Sequence, residues 1–290
     1  MAERAVGFVG LGVMGEPMCR NVLRSSGRSV VVFDQNPDAV ARLVDAGAEA
    51  ASNLADLAGR VEIVHLSLPG GPELEAVLDG AAGLLTLLDD SQTIVDHTTA
   101  PYGLTTELAA KAAKRGVAYC DAPVARTRQA AIDGTLSIMV GGDAADVARI
   151  TPLLECMAEE VSHCGPAGAG QVAKLLNNVI LVQNLNAVAE AHAIVQGLGL
   201  DPAVIFDTLT KGSGDSFALR SHGHKAVLAD DYPLQAFPTR YQLKDASYAI
   251  ELAEDAGVDA KGAQLAKQRL EAAIEAGYVE EYWPVIRKIV

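Results

Sequence analysis

Short apolar runs alternate with helical patterns over the first half of the chain, whereas the second half carries helical patterns alone. Ala5–Leu11 (AVGFVGL), Ser29–Phe33 (SVVVF) and Val61–Leu68 (VEIVHLSL) are rich in β-branched residues and nearly continuous in hydrophobicity. That pattern predicts strands buried on both faces, as in a parallel sheet, rather than half-exposed strands of alternating polarity. Gln92–Asp96, Gly116–Cys120 and Ser137–Val140 are further strand candidates, with helical stretches such as Leu104–Lys114 between them. Strands alternating with helices predict a doubly wound, mostly parallel sheet whose ligand lies beyond the strand C-termini. From about Gly165 the character changes to patterns rich in Ala and Leu, and Gln171–Leu198 is apolar nearly all round. A helix of that kind is expected to be buried between domains or subunits.

The turn after the first strand supplies chemistry. Gly10-Leu11-Gly12-Val13-Met14-Gly15 is a G-x-G-x-x-G set between a strand and a helix, the context that makes this pattern a dinucleotide fingerprint. Gly10 is assigned to the tight turn, Gly12 to close approach of the pyrophosphate, and Gly15 to helix–strand packing. The helix N-terminus then receives the phosphate charge. The second strand ends in Asp34, nineteen residues after Gly15 and followed by Gln35. An acid there accepts bonds from the adenosine ribose hydroxyls and repels a 2′-phosphate, which favours NAD over NADP. Leu68, Pro69 and Thr99 follow strand ends and are expected to border the cofactor. The predicted architecture is an α/β Rossmann domain over residues 1–164 and an all-α domain over 165–290. A long central helix, about 171–198, joins them.

Composition narrows the partners. The 290 residues suffice for two domains. A formal net charge of −14 argues against a general nucleic-acid-binding role. Cys19, Cys120, Cys156 and Cys164 show neither metal-ligand nor disulfide spacing, and no signal-peptide pattern or membrane-spanning apolar run appears. A cytoplasmic location is the expectation. His222 and His224 have no acidic or cysteine partner nearby in sequence, so no metal is expected, and His65 and His97 are read as structural.

Lys174 stands out in Gly168-Ala-Gly-Gln-Val-Ala-Lys-Leu-Leu-Asn-Asn178, a cation in an otherwise apolar helix. Residues four apart share a helix face, so Lys174 and Asn178 present an ammonium and an amide together. Near a helix N-terminus the dipole and any burial act against the cation, favouring proton exchange at neutral pH.

Five ordered motifs carry a resemblance over nearly the whole chain. They are Phe8–Met18, Asp121-Ala-Pro-Val124, Asp133–Gly142, Gly168–Asn178, and the stretch from Phe237 to Lys244-Asp245. Together they resemble the β-hydroxyacid dehydrogenases, a family that includes 3-hydroxyisobutyrate dehydrogenase and tartronate semialdehyde reductase. The resemblance implies hydride transfer between NAD and a small 3-hydroxy acid. It implies Lys174 as general acid/base, Asn178 as a substrate ligand, and Lys244-Asp245 as a pair beside the active site, with Lys244 grouped among the cofactor-binding residues. It also implies a homodimer or homotetramer.

The chain departs from the family after Val124. The usual Ser-Gly-Gly is replaced by Ala125-Arg126-Thr127, followed by Arg128. A guanidinium is a planar fork suited to a carboxylate or sulfonate. A similar Arg-Thr loop occurs in the sulfolactaldehyde reductase branch. Arg126 and Thr127 are therefore candidate substrate ligands; the plainer alternative is that Arg126 pairs with an acidic neighbour, and Arg128 is expected to point to solvent. Lys211-Gly-Ser213-Gly-Asp215-Ser-Phe217 matches a loop that faces the substrate, making Ser213 and Asp215 candidates, the latter for a substrate amino group. Trp283 is read as a packing residue. The candidate substrates are 3-hydroxyisobutyrate-like acids, 3-hydroxy amino acids such as serine or threonine isomers, and a sulfonated analogue. An imine reductase or a non-catalytic oligomerisation module are the competing functions, both disfavoured by Lys174.

Overall fold

The apolar runs become the strands of one sheet because each has an apolar layer on both sides. A computed structural model describes residues 5–234 and 236–290. Its strands are β1 (Ala5–Val9), β2 (Val30–Phe33), β3 (Glu49–Ala50), β4 (Val61–Leu66), β5 (Thr93–Asp96), β6 (Ala118–Asp121), β7 (Val124–Ala125), β8 (Leu136–Gly141) and β9 (Ala158–Gly165). They are ordered β3-β2-β1-β4-β5-β6-β8-β7, with β9 paired to β8. All pairings are parallel except those of β8 with β6 and β7. Strand direction alternates side chains between faces. Val6, Phe8, Val30 and Val32 therefore join the core on one face, and Val9, Val31, Val64 and Ile94 join the core on the other. The order reverses at β1, so the crevice beyond β1 and β4 is where an open α/β sheet takes its ligand.

Three strands escaped the hydrophobic pattern. β3 and β7 are two residues each, too short for periodicity to register. β9 reads AEEVSHCG and is mostly exposed, because it lies at the sheet edge and needs few apolar side chains. The run predicted to reach Leu11 stops at Val9, where Gly10 turns the chain with φ +89°.

The long helix spans Ala169–Gly197. Packing divides the chain into two units within it, between Lys174 and Leu175. In the second unit, Pro202–Leu209, a π-helical stretch Ala218–Leu228, Thr239–Asp255 and Lys261–Glu275 follow the long helix. A core of Val182, Leu185, Phe206, Leu219, Leu270 and Trp283 holds them, so Trp283 packs as expected.

His65 and His97 form a buried pair between β4 and the end of β5. His97 Nδ1 lies 2.8 Å from Ala122 O, a group that only accepts, so His97 donates there and its Nε2 accepts from His65 Nδ1 at 2.9 Å. His65 also stacks on Phe8 at 4.6 Å. Burial pushes His97 down to about 4 and His65 well below the usual histidine range. Asp96, buried beside them and bonded to Thr98 N and Tyr119 OH, is pushed the other way, to about 7, by the same desolvation.

The signs are opposite. The unfolded histidine takes up a proton near pH 6.5 while the folded one stays neutral down to about 4, so this contribution, about 3 kcal/mol for His97, is lost as pH falls through that window. Asp96 contributes stability that is full below about pH 4 and lost as pH rises through 7. We expect Asp96→Asn to steepen the fall in stability between pH 6.5 and 4, measured by denaturant titration. An unchanged slope would show that Asp96 does not oppose the histidines.

Candidate active site

The glycine turn after β1 is built for backbone approach. A Cβ on Gly10 would lie 2.3 Å from Ser67 O, and one on Gly15 would lie 2.0 Å from Gly10 O. Those two glycines let strand, turn and helix Gly15–Ser25 close on one another. Gly12 differs, because a Cβ there would meet nothing within 4 Å. The open side of Gly12 is the room a pyrophosphate needs, and Asp34 stands beside it. Asp34 Oδ2 accepts from Leu11 N at 2.6 Å and Oδ1 from Asn36 N at 2.7 Å, so the carboxylate is fixed against the turn.

A cavity of about 540 Å³ lies over this turn, lined by Leu11, Gly12, Val13, Asp34, Asn36 and Arg128 among others. Asn36 rather than Gln35 reaches it, and Gln35 is exposed. Met14 precedes the helix and makes no side-chain cap. Arg20 and Arg42 also line the cavity, but Glu16 holds both, and the Arg42 guanidinium keeps the Glu16 carboxyl below its ordinary value. Arg128, expected to face only solvent, is exposed yet part of the lining. The Rossmann turn, the open Gly12 and the fixed Asp34 thus fit a dinucleotide, whose nicotinamide would exchange a hydride with substrate.

The loops beyond β4 and β5 are tied together. Leu68 N donates to Thr98 Oγ1 at 3.1 Å. Gln171 Nε2 donates to Thr98 O at 2.6 Å, and its Oε1 accepts from Ala100 N at 3.3 Å. Pro69 and Thr99 sit in these same loops. Thr98 and Gln171 make the ties, and neither residue has a sequence signal beyond its neighbourhood.

In the second unit Asn178 is buried, and its Nδ2 donates to Asp245 Oδ2 at 2.6 Å. Asp245 is 2% exposed, with its Oδ1 3.3 Å from Lys244 Nζ. Lys244 also lies 5.3 Å from the centre of the Tyr248 ring. The Asn178 amide is therefore oriented by a buried carboxylate that itself faces a cation. Ser213 is exposed, and the Asp215 carboxylate pairs with Arg220.

The variant loop is held locally. Arg126 keeps a left-handed backbone, φ +85°. That conformation costs a non-glycine residue about 1–2 kcal/mol. Its guanidinium donates to Thr135 O at 2.6 Å and to Glu159. Thr127 Oγ1 accepts from Ala130 N and caps the helix Arg128–Asp133. Of the roles weighed for Arg126, the tie to an acidic neighbour is the one these bonds display.

His222 Nδ1 lies 2.6 Å from Tyr282 OH, while His224 lies near Asp207. Among the described residues no group of three or more His, Cys, Asp or Glu is placed to hold a metal. No helix among them is long and apolar enough to cross a membrane.

These features fit a dinucleotide-binding Rossmann protein, and comparison with known proteins specifies the class. Residues 5–165 match the family model described as the NAD binding domain of 6-phosphogluconate dehydrogenase, and residues 168–282 match that described as NAD-binding of NADP-dependent 3-hydroxyisobutyrate dehydrogenase. The chain is 33% identical to 2-(hydroxymethyl)glutarate dehydrogenase of Eubacterium barkeri, covering 98% of this chain and 94% of that one. It is 32% identical to NAD-dependent L-serine dehydrogenase of Pseudomonas aeruginosa, covering 99% and 97%. The solved structure of 3-hydroxyisobutyrate dehydrogenase from Mycobacterium tuberculosis with L-serine superposes with a TM-score of 0.89 at 28% identity, covering 99% of each chain. The chain belongs to the β-hydroxyacid dehydrogenase family and is an NAD-dependent oxidoreductase.

Proposed function

We propose that this enzyme interconverts a small 3-hydroxy acid and its carbonyl form, with Lys174 as general acid/base. The observation that carries the reading is the helix Ala169–Gly197, where Lys174 and Asn178 stand one turn apart and Asp245 orients the Asn178 amide. In oxidation Lys174 takes the hydroxyl proton as hydride leaves the same carbon; in reduction it returns that proton to the developing alkoxide. Asn178 donates to the substrate, and Lys244 and the loops at Leu68-Pro69 and Thr99 border the cofactor. Gly10–Gly15 and Asp34 hold its pyrophosphate and ribose.

The relatives named for serine and hydroxymethylglutarate support a carboxylate-bearing substrate, and a 3-hydroxy amino acid is the first candidate. Ser213 and Asp215 are assigned to that end of the substrate, and Asp215 must leave Arg220 to meet an ammonium. Arg126 and Thr127 are assigned to the substrate anion, with Arg126 exchanging Glu159 for it. Exposed Ile180 and Ile194 on the long helix, and Leu198 just after it, support a homodimer or homotetramer.

The test is initial-rate NADH formation with 3-hydroxyisobutyrate, serine and threonine stereoisomers, glycerate and dihydroxypropanesulfonate. One acid class should dominate. Arg126→Ala should lower kcat/KM on that class by about ten- to a hundredfold, the loss of a charged hydrogen-bond pair. No NADH from any of these acids would sink the substrate class, and an unaffected Arg126→Ala would leave Arg126 as a loop tie.

A further inference from the structure

The helix that carries Lys174 has no cap of its own. It begins at Ala169, and the residue before it is Gly168, with φ +94° and no side-chain oxygen to accept the first helical N–H groups. A carboxylate from the sheet takes that place. Asp121, the last residue of β6, accepts from Gly168 N through Oδ1 at 2.6 Å and from Gln171 N through Oδ2 at 2.8 Å. Asp121 is fully buried, and the protein leaves out side chains to admit it. A Cβ on Gly141 would lie 2.4 Å from Asp121 Oδ1, and one on Gly170 would lie 2.8 Å from Oδ2 and 2.4 Å from Met139 O. A Cβ on Gly168 would lie 2.7 Å from the Tyr102 ring. The same turn is tied a second time, by the Gln171 side chain, to the Thr98–Ala100 loop.

We propose that Asp121 is the positioning residue for Lys174, acting jointly with the Gln171 side chain, so that loss of either tie displaces the lysine. Its two carboxylate oxygens fix the height and rotation of the first helical turn against the ends of β5 and β6, and Lys174 follows Gln171 by three residues. The proposal rests on Lys174 being the acid/base. Only a carboxylate serves, because both oxygens must accept. An asparagine of the same volume turns an N–H toward one of the two backbone N–H groups and loses that bond. A small displacement of a catalytic group lowers the rate steeply while cofactor binding persists.

The experiment compares Asp121→Asn, Gln171→Met and Lys174→Ala with wild type, using the best substrate, the same substrate deuterated at its hydroxyl-bearing carbon, and calorimetric titration of NAD. For Asp121→Asn, kcat should fall about ten- to a hundredfold. Its Kd for NAD should stay within about twofold. The deuterium isotope effect on kcat should rise, because chemistry becomes the slow step. A folded Asp121→Asn with wild-type kcat and isotope effect overturns the proposal. Loss of NAD binding in step with kcat overturns it too, since the residue would then maintain the whole domain. Should Asp121→Asn fail to fold, Gln171→Met decides: it preserves volume, removes the second tie, and should lower kcat about five- to tenfold at unchanged Kd for NAD. Wild-type kcat there overturns the proposal. Lys174→Ala separates the two levels. An inactive Lys174→Ala beside a fully active Asp121→Asn defeats the positioning role alone, whereas an active Lys174→Ala defeats the acid/base reading and the proposal with it.

Discussion

Lys174→Ala is expected to lower kcat by about 10²–10⁴-fold, the range that a positioned proton acceptor supplies. NAD affinity should change little, because the groups assigned to pyrophosphate and ribose lie at Gly10–Gly15 and Asp34, on other elements. The lysine must lose its proton to act in the oxidation direction, so wild-type oxidation should have an acidic limb in kcat that the alanine variant lacks. Lys174 is half-buried in the second turn of a helix and is not a member of the hydrophobic cores. The folded state should therefore survive the change. Turnover near that of the wild type, with NAD still bound, would remove Lys174 from the mechanism.

The glycines should separate folding from binding. Gly15→Ala places a methyl group 2.0 Å from Gly10 O, a backbone atom that cannot swing aside. Either the helix moves off the strand or the turn opens, and both disrupt the packing of β1. A loss of several kcal/mol in stability, in the range of the more severe core substitutions, is expected together with loss of NAD binding. Gly12→Ala meets no atom of the protein within 4 Å. Its melting temperature should match wild type without cofactor, while NAD affinity falls at least about tenfold because the methyl occupies the pyrophosphate's approach. Equal effects of the two alanines on the cofactor-free melting temperature would refute the division of roles.

How much was legible depended on where each residue's partners lie. β1, β2 and β4 were readable because burial on both faces forces unbroken apolar runs. β9 was hidden because an edge strand can be held by backbone bonds to β8 while its side chains remain polar. The three fingerprint glycines and Asp34 stood within one strand–turn–helix–strand stretch, so spacing alone assigned them. Lys174 was visible as a charge among apolar neighbours. Asp121 was not visible as a cap: its bonds run to backbone N–H groups 47 and 50 residues away, which no local pattern encodes. Likewise Asn178 was singled out by its turn spacing from Lys174, but the carboxylate that orients it is 67 residues downstream. Arg126 stands out in the sequence as a departure from the family's pattern, but its left-handed backbone and its tie to Glu159, 33 residues away, arise only on folding.

The polar strand at the sheet's margin bears on how the protein behaves when crowded. A sheet's outer strand exposes unpaired backbone groups that another chain can template onto, and long apolar margins seed aggregates. Here one margin is the two-residue β3 and the other is β9, which exposes Glu159, Glu160, Ser162, His163 and Cys164. The exposed polar side chains of β9, Glu160 among them, disfavour an apolar edge-to-edge stack, and a two-residue margin gives little purchase for registry. The sheet is thus insulated at both ends from uncontrolled polymerisation.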